Sequence, residues 1–226
     1  MRTTAILLAA GSGRRMGSEM NKVLLPLAGT PIVTRAALAL TRSPAIDELV
    51  VVARPDELGA VATVLPPLDI PVRIVAGGAE RHDSARAGVA AATGDIVLLH
   101  DAARPFVTQD LVERVIAGAE RHGACIPVVR VVDTLRRVGP DGFARAETVD
   151  RTDLVHVQTP QGFRVELVRQ ALKATPTGAI PTDDAAAVLA QGVAVFTVPG
   201  DARNIKITTP ADLDAAGPMA CCAERA

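Results

Sequence analysis

Short runs of Val, Ile and Leu alternate with longer alanine-rich stretches along the chain, and this alternation constrains the fold more than any other feature. Strands buried on both faces of a parallel sheet read as such runs, and the helices that connect them supply the longer stretches. The predicted strands are Ala5–Leu8, Leu49–Ala53, Val72–Val75, Ile96–Leu99, Ala124–Val129, Leu154–Val157 and Val193–Val198. The predicted helices are Pro31–Thr41, Asp56–Leu65, Asp83–Ala92, Thr108–His122, Arg164–Ala174 and Asp183–Gln191. We therefore expect an α/β fold with an open, mostly parallel sheet and helices on both faces.

Residues 131–151 interrupt this alternation. They read as two short polar strands around Val138–Gly142, whose Gly, Pro and Asp residues are typical of a hairpin turn. The segment has few apolar residues with which to build a core, so it is either a solvent-exposed excursion or an arm that packs on another subunit. We predict a single domain over residues 1–218 that includes this β-arm, and a disordered tail over residues 219–226.

The composition excludes several classes of function. A net charge of -1 argues against a general nucleic-acid binder, and the absence of Trp and Tyr argues against a base-stacking surface. The apolar run Ala5–Ala10 is shorter than the roughly 7–15 residues of a signal-peptide core, and no stretch approaches the ~20 apolar residues of a membrane span. The three cysteines form no C-x-x-C pair. We expect a cytoplasmic protein with no membrane or nucleic-acid partner.

A glycine-rich turn, Ala9–Gly17, follows the first predicted strand. Glycines there let backbone N–H groups approach a phosphate closely, because no Cβ blocks them. The dinucleotide pattern G-x-G-x-x-G fails because Met16 occupies its third glycine position, and no acidic residue lies near Thr30–Arg35 to bind a ribose. The P-loop pattern fails as well. The turn predicts phosphate binding of another kind, with a plain tight turn as the alternative.

Cations close to this turn strengthen the prediction. Arg14 and Arg15 lie within the turn, and Lys22 lies just beyond it. Only three of the 24 basic residues are lysines, which indicates sites that need a compact point charge rather than a planar fork. We interpret Lys22 as a phosphate-binding residue, with a chance surface lysine as the alternative.

The run His100–Pro105 places an aspartate just after the strand Ile96–Leu99. In open α/β sheets, ligands bind beyond the carboxyl ends of the strands. A single carboxylate there suits Mg²⁺, which takes one or two protein oxygens and completes its shell with phosphates and water. Arg104 favours this interpretation of Asp101 over a helix cap. The four histidines show no ligand spacing, so we interpret them as structural, with a tuning role for His100 at the metal site as the alternative.

Several motifs extend this pattern along the chain. They are Gly11–Met16 with Lys22, Gly77-Gly78 with Glu80-Arg81 and Ser84, His100–Pro105, Val132–Thr134, Val149–Arg151, Gln158–Gln161, Thr182-Asp183 and Asn204–Thr208. In this order they resemble the 2-C-methyl-D-erythritol 4-phosphate cytidylyltransferase family, from residue 5 to about residue 212. The chain departs from the family at Asn21-Lys22-Val23, where Pro-Lys-Gln or similar is usual. It departs again at Asp184, where many members have Glu, and we expect Asp184 to make a structural contact.

The resemblance implies a Rossmann-like nucleotidyltransferase sheet, a homodimer joined by the exchanged 131–151 arm, and Mg²⁺-dependent transfer of the cytidylyl group of CTP to methylerythritol phosphate. The implied catalytic residues are Arg15, Lys22, Arg151 and Lys206. The implied CTP-binding residues are Ala9, Ala10, Gly11, Ser12, Gly13, Arg15, Lys22, Gly77, Gly78, Ser84, Asp101 and Ala102. The implied acceptor-binding residues are Arg104, Thr134, Arg151, Thr159 and Lys206, and the implied metal ligand is Asp101.

Three other functions stay open at this point. A ribitol-5-phosphate or other sugar-phosphate cytidylyltransferase would keep the chemistry and change the acceptor. A nicotinamide-dependent oxidoreductase would use the glycine-rich turn, although the missing third glycine and ribose-binding acid disfavour it. A nucleotide-sensing module would bind CTP without catalysis, and it would be favoured only if Lys22 or Asp101 proved irrelevant to turnover.

Overall fold

The alternating segments of the chain build one central sheet of eight strands. The computed structural model describes residues 1–11, 21–175 and 183–223. Its strands are Thr3–Leu8 (β1), Pro26–Leu27 (β2), Thr30–Pro31 (β3), Glu48–Ala53 (β4), Val72–Ala76 (β5), Ile96–Asp101 (β6), Ala124–Arg130 (β7), Arg136–Val138 (β8), Ala144–Thr148 (β9), Val155–Val157 (β10), Gln161–Arg164 (β11) and Phe196–Pro199 (β12). Its α-helices are Ile32–Thr41 (α1), Leu58–Val64 (α2), Arg81–Ala91 (α3), Gln109–His122 (α4), Val165–Ala174 (α5), Asp184–Leu189 (α6) and Pro210–Ala223 (α7). Every predicted strand and helix is present, with ends shifted by a few residues.

The sheet has the strand order β10-β7-β11-β6-β1-β4-β5, with β12 paired to β7. The pairs β1–β4, β1–β6, β4–β5 and β7–β12 are parallel. The strands β1, β4 and β6 have six residues each, and every one of these residues is buried, as expected for parallel strands covered on both faces. The prediction of an open, mostly parallel sheet is therefore confirmed.

Side chains from β1 reach two separate core layers because successive residues of a strand point to opposite faces of the sheet. Leu7 belongs to one layer with Val33 of α1 and Leu111 of α4. Ile6 belongs to the other layer with Val89 of α3. Helices thus cover both faces, and the carboxyl ends of the parallel strands stay free to form a site.

The antiparallel strand β11 was not predicted. It lies between β6 and β7, with Gly162 opposite both Leu98 and Cys125. A Cβ at Gly162 would lie 2.8 Å from a methyl carbon of Val115 in α4, so the strand can sit under that helix only with glycine at this point. A four-residue strand that contains Gln and Gly carries little of the β-branched signal on which strand prediction depends.

The segment of residues 131–151 contains a hairpin, in which β8 and β9 form a two-stranded sheet of their own. All residues of both strands are exposed. Exposed apolar side chains also occur here, since Val132 is 75% exposed and Phe143 is 72% exposed. The predicted hairpin is present, whereas its packing on another subunit stays a prediction.

Helix α7 extends past residue 218, where we expected the domain to end. It runs to Ala223, so residues 219–223 are helical rather than a disordered tail, and residues 224–226 lie outside the described part. Ala216 and Ala220 are buried in a small cluster with Leu27 and Ile32. One turn apart on the helix, these alanines form a narrow packing face that the sequence pattern does not reveal. Within the described residues, no helix has the length and apolar character needed to cross a membrane.

Candidate active site

A cleft of about 880 Å³ lies at the carboxyl ends of β1, β4, β5 and β6. This is the edge at which open α/β sheets bind their ligands. Many of the predicted site residues line the cleft, namely Ala10, Gly11, Lys22, Gly77, Gly78, Ser84, Asp101 and Lys206. Sequence motifs at the ends of β1, β5 and β6 and in the loop after β12 therefore converge on one place.

Gly77 allows two walls of the cleft to approach each other. A Cβ at this position would lie 2.6 Å from Ser84 Oγ and 2.8 Å from the Cβ of Ala10. The backbone N–H of Gly77 donates to the Ala53 carbonyl, which ties the end of β5 to the end of β4. A larger residue would push α3 away from the turn that follows β1.

Asn21 holds the start of the short 3₁₀ helix Lys22–Leu24, which carries the predicted phosphate-binding lysine. The buried Asn21 amide donates to the Ala9 carbonyl at 2.8 Å and to Glu57 Oε2 at 2.7 Å. Its Oδ1 caps the 3₁₀ helix by accepting from the Val23 N–H. Asn21 therefore anchors the segment Asn21-Lys22-Val23, which departs from the motif that the sequence resembles.

Asp101, the last residue of β6, is 8% exposed and is paired with two cations. Its Oδ2 accepts from Lys206 Nζ at 2.6 Å, and its Oδ1 accepts from Arg81 Nη2 at 3.2 Å. Burial alone would raise the pKa of this carboxyl, but the charges of Arg81 and Lys206 outweigh burial and hold the pKa well below its usual range. Asp101 is therefore ionised at neutral pH.

Arg81 is a site residue to which the sequence motifs gave no role of its own. It begins α3, and its guanidinium donates to both oxygens of Asp184, at 2.9 and 2.8 Å, as well as to Asp101. Burial disfavours the charge of Arg81, yet the two carboxylates raise its pKa above the usual value. The expected structural contact of Asp184 is this bidentate ion pair, which ties α6 to the floor of the cleft.

His100 and Thr159 lie behind Asp101, out of contact with solvent. His100 is fully buried, with its Nε2 3.0 Å from the Arg104 carbonyl and its Nδ1 3.0 Å from Thr159 Oγ1. Thr159 Oγ1 also accepts from the Asp101 N–H at 3.1 Å. Burial lowers the pKa of His100 to about 4, so the ring is neutral at pH 7.

Residues 201–207 bring Lys206 to the cleft, and buried amide side chains hold this loop. The Asn204 amide donates to the Thr159 carbonyl at 2.8 Å, and Arg104 Nη1 donates to the Asn204 carbonyl at 2.7 Å. The Gln158 amide donates to the Asp201 carbonyl at 2.8 Å. The motifs at residues 158–161 and 204–208 therefore contact each other in the folded chain.

The other predicted site residues have different positions. Ala9 and Ala102 are buried in the core beside the cleft, and Thr159 is buried behind it. Thr134 and Arg151 are exposed at the base of the hairpin and do not line the cleft, as far as the described residues show. Ser12, Gly13 and Arg15 lie outside the described residues, so their predicted roles stay predictions.

The residues around Asp101 fit a divalent cation that is held by one carboxylate. In the described part of the chain, no three His, Cys, Asp or Glu side chains cluster closely enough to hold a metal ion by themselves. Mg²⁺ commonly binds through one or two carboxylates together with substrate phosphates, and an ionised Asp101 on the cleft wall meets that requirement. Lys206 and Arg81 already engage its oxygens, so a metal ion would share this carboxylate with them.

Comparison with known proteins identifies the relatives of this fold and site. The family model for IspD, 2-C-methyl-D-erythritol 4-phosphate cytidylyltransferase, matches residues 3–219. The chain belongs to this family. The match extends over nearly the whole chain and includes every strand and every residue assigned to the cleft, so the family prediction made from the motifs is confirmed.

Individual relatives agree with this cytidylyltransferase assignment. The chain is 40% identical over 217 residues to the 2-C-methyl-D-erythritol 4-phosphate cytidylyltransferase of Geobacillus kaustophilus, and the match covers 94% of each protein. It is 46% identical over 216 residues to a bifunctional enzyme IspD/IspF of Anaeromyxobacter sp. (strain Fw109-5), covering 94% of this chain and 55% of that protein. The chain thus spans about half the length of this bifunctional relative.

A solved structure of a family member has the same fold. The crystal structure of 2-C-methyl-D-erythritol 4-phosphate cytidylyltransferase from Thermus thermophilus is 34% identical to this chain, with a TM-score of 0.81. The superposition covers 98% of this chain and 100% of that chain. The predicted fold class is confirmed at this level.

Proposed function

We propose that this chain transfers the cytidylyl group of CTP to 2-C-methyl-D-erythritol 4-phosphate, giving 4-diphosphocytidyl-2-C-methyl-D-erythritol and pyrophosphate. The observation that carries the proposal is the cleft itself. It combines a glycine-rich wall with Lys22, Arg81 and Lys206 around an ionised Asp101, in a chain that matches the cytidylyltransferase family over residues 3–219. Such a cluster of cations suits a triphosphate and a second phosphate in one site.

The reaction is an in-line attack of the acceptor phosphate on the α-phosphorus of CTP, with pyrophosphate as the leaving group. A phosphate monoester has a second pKa of about 6, so it is mostly dianionic at pH 7 and needs no general base. Catalysis then depends on positioning and on stabilising the charge that develops in the transition state. His100 is buried and both of its ring nitrogens have partners behind Asp101, so it does not face the cleft to take a proton.

The nucleotide side of the site is the turn after β1 together with Gly77, Gly78 and Ser84. We assign transition-state charge stabilisation to Arg15 and Lys22. Asp101 would hold Mg²⁺, which when bound offsets phosphate charge and orients the triphosphate. Because CTP is a cytoplasmic nucleotide, we also propose that the enzyme works in the cytoplasm.

The acceptor side of the site, defined here as Arg104 and Lys206, would bind the acceptor phosphate. Arg104 Nη1 donates to the Asn204 carbonyl at 2.7 Å, which ties this guanidinium to the loop that carries Lys206. Lys206 is held against Asp101 and lines the same cleft. Arg104 and Lys206 are thus joined through one loop, and of the two only Lys206 lines the cleft among the described residues.

The direct test is pyrophosphate release from CTP and Mg²⁺ in parallel reactions with methylerythritol phosphate, ribitol 5-phosphate and no acceptor. We expect release with methylerythritol phosphate alone. Release with the ribitol compound instead would keep the chemistry but change the acceptor. CTP binding without release in any reaction would favour a nucleotide-sensing module, and binding of a nicotinamide cofactor would favour the oxidoreductase.

The substitution Gly77→Ala tests the glycine wall of the nucleotide side. A methyl group 2.6 Å from Ser84 Oγ forces α3 outward, so we expect the KM for CTP to rise by about tenfold and stability to fall by about 1–3 kcal/mol. The matched control is Gly59→Ala in α2, where a Cβ meets nothing within 4 Å. An unchanged KM for CTP in Gly77→Ala, measured by pyrophosphate release, would contradict the assignment of this wall to the nucleotide.

We also propose that the chain is a homodimer in which the 131–151 hairpin supplies Thr134 and Arg151 to the partner's site. Exposed apolar side chains in residues 131–151 and at or just before strand β10 support an interface, and they are Val132, Val138, Phe143, Leu154, Val155 and Val157. The exposed position of Thr134 and Arg151, away from the cleft of their own chain, agrees with action in another subunit.

Subunit mixing tests this shared site. Lys22→Ala and Arg151→Ala are each expected to be nearly inactive as pure dimers. In a heterodimer of the two, one site keeps both residues if Arg151 acts in the partner, so an equilibrated equal mixture should recover about a quarter of wild-type activity. No recovery would place Arg151 in its own subunit. A monomer by light scattering that keeps full activity would exclude shared sites altogether.

A further inference from the structure

His100 connects Arg104 of the acceptor side with Thr159, although it does not line the cleft itself. It bonds to the Arg104 backbone on one side and to the Thr159 hydroxyl on the other. We infer that His100 is a positioning residue, whose fixed pattern of donor and acceptor nitrogens holds the turn from Asp101 to Arg104 in place and so positions Arg104 for the acceptor phosphate. This inference rests on the proposed function, because it assigns the network to the acceptor half of that reaction.

The direction of each hydrogen bond follows from the chemistry of the partners. The Arg104 carbonyl can only accept, so His100 Nε2 must carry a hydrogen and donate. Thr159 Oγ1 already accepts from the Asp101 N–H. If His100 Nδ1 accepts, the Thr159 hydroxyl donates its hydrogen to it, and all three groups are satisfied. A second hydrogen on Nδ1 would leave the Thr159 hydroxyl hydrogen without this partner.

The hydrogen bonds of the network end on backbone groups of the segments that contain the site residues. The Asp101 N–H and the Arg104 carbonyl are both held, which fixes the turn between them from two sides. The Thr159 carbonyl accepts from Asn204, and the Asn204 carbonyl accepts from the Arg104 guanidinium. The network therefore joins the turn after β6, the start of β11 and the loop that brings Lys206.

Because the network is buried, the loss of any of its hydrogen bonds is costly in free energy. His100 and Asn204 are fully buried, and Thr159 is 4% exposed, so water cannot easily replace a lost partner. The network lies at the end of β6, whereas Gly77 and Gly78 of the nucleotide side follow β5, which lies on the other side of β1, and Ser84 lies on α3. Without the network the Asp101 carboxylate still keeps its ion pairs with Arg81 and Lys206, so loss of the network should affect the acceptor more than CTP.

Three variants of His100 separate its two bonds. Gln places an amide nitrogen near the position of Nε2 and keeps the donor to Arg104, whereas Asn places an oxygen near the position of Nδ1 and keeps the acceptor for Thr159. Phe removes both. We expect kcat/KM for methylerythritol phosphate to fall about tenfold or more in His100→Phe and less in the other two variants, because a displacement of ~1 Å in a catalytic site costs up to about 10²-fold. The Kd for CTP should stay within about twofold.

Variants of Thr159 test the hydrogen bond to His100 Nδ1 from its other partner. Thr159→Ser should retain near wild-type kinetics, and Thr159→Val should resemble His100→Phe. Because His100→Gln and Thr159→Val remove the same bond, the double variant should be no worse than the poorer single variant. Equal losses for CTP binding and acceptor turnover, additive effects, or unchanged acceptor kinetics in folded His100→Gln and His100→Asn would each overturn the inference.

The tautomer of His100 gives a readout that needs no turnover. In ¹⁵N-labelled wild-type protein at neutral pH, long-range ¹H–¹⁵N correlations should show His100 with its hydrogen on Nε2, assigned by loss of the signal in His100→Gln. A hydrogen on Nδ1, or on both nitrogens, would overturn the network. Absence of cytidylyl transfer by the wild-type protein would refute the proposed function instead, so the two failures are distinguishable.

Discussion

We expect Lys22→Met to lower kcat for cytidylyl transfer by about 10²–10³-fold, the effect of losing one preorganised charge contact to the transition state. Lys22 lines the cleft on a short 3₁₀ helix that Asn21 holds at its start. Because Asn21 keeps its bonds to Ala9 and Glu57 in the variant, the loop should keep its path and only the charge is removed. The measurement is steady-state pyrophosphate release at saturating CTP and Mg²⁺.

The control for this experiment is Lys173→Met, which removes an exposed lysine from α5, away from the cleft. It should leave kcat and both KM values unchanged. Near-normal turnover of Lys22→Met with metal-bound CTP would mean that Lys22 does not stabilise the transition state. If only the KM for CTP rose, Lys22 would bind ground state and transition state equally.

Replacing Arg81 with Met should lower the free energy of unfolding by about 3 kcal/mol, because it leaves Asp184 buried without its partner. Asp184 is 2% exposed and bonds to Arg81 with both carboxylate oxygens. Activity should fall as well, since Asp101 loses one of the two cations that hold it. Urea unfolding and pyrophosphate release measure the two effects separately.

A second variant distinguishes stability from function at this site. In Arg81→Met/Asp184→Leu, both members of the buried pair become apolar, so most of the lost stability should return. Activity should stay low, because Asp101 still lacks Arg81. The control Arg169→Met breaks an exposed pair with Glu166 on α5 and should cost at most about 1 kcal/mol. Recovery of activity in the double variant would show that Arg81 acts only through the stability of the fold.

The ion pair between Arg81 and Asp184 shows how much of the site could be predicted from sequence. The motifs contained Arg81 and Asp184, and the expectation of a structural contact for Asp184 agrees with the ion pair. Their partnership could not be predicted from sequence spacing, because the two residues lie 103 positions apart and meet only when α3 and α6 pack on the same face of the sheet. A half-buried arginine shared between two buried carboxylates is a property of that packing.

The acceptor side shows the same limit. The sequence singled out Asp101, Arg104, Thr159 and Lys206, and the structure brings them to one end of the sheet. The sequence did not distinguish the side chains that line the cleft from those behind it. Thr159 shares with His100 a hydrogen bond that depends on how β11 inserts between β6 and β7, and β11 itself was not predicted.

The sequence by itself determined the α/β class, the order of the main strands and helices, the hairpin after β7 and the strand ends that carry the site. These features depend on local periodicity, on glycine and proline in turns, and on the rule that carboxyl ends of parallel strands share one edge. The tertiary structure alone decided the antiparallel insertion of β11, the extension of α7 to Ala223 and the pairing of Arg81 with Asp101 and Asp184. Each of these depends on burial against distant segments, and burial is set by packing rather than by neighbouring residues.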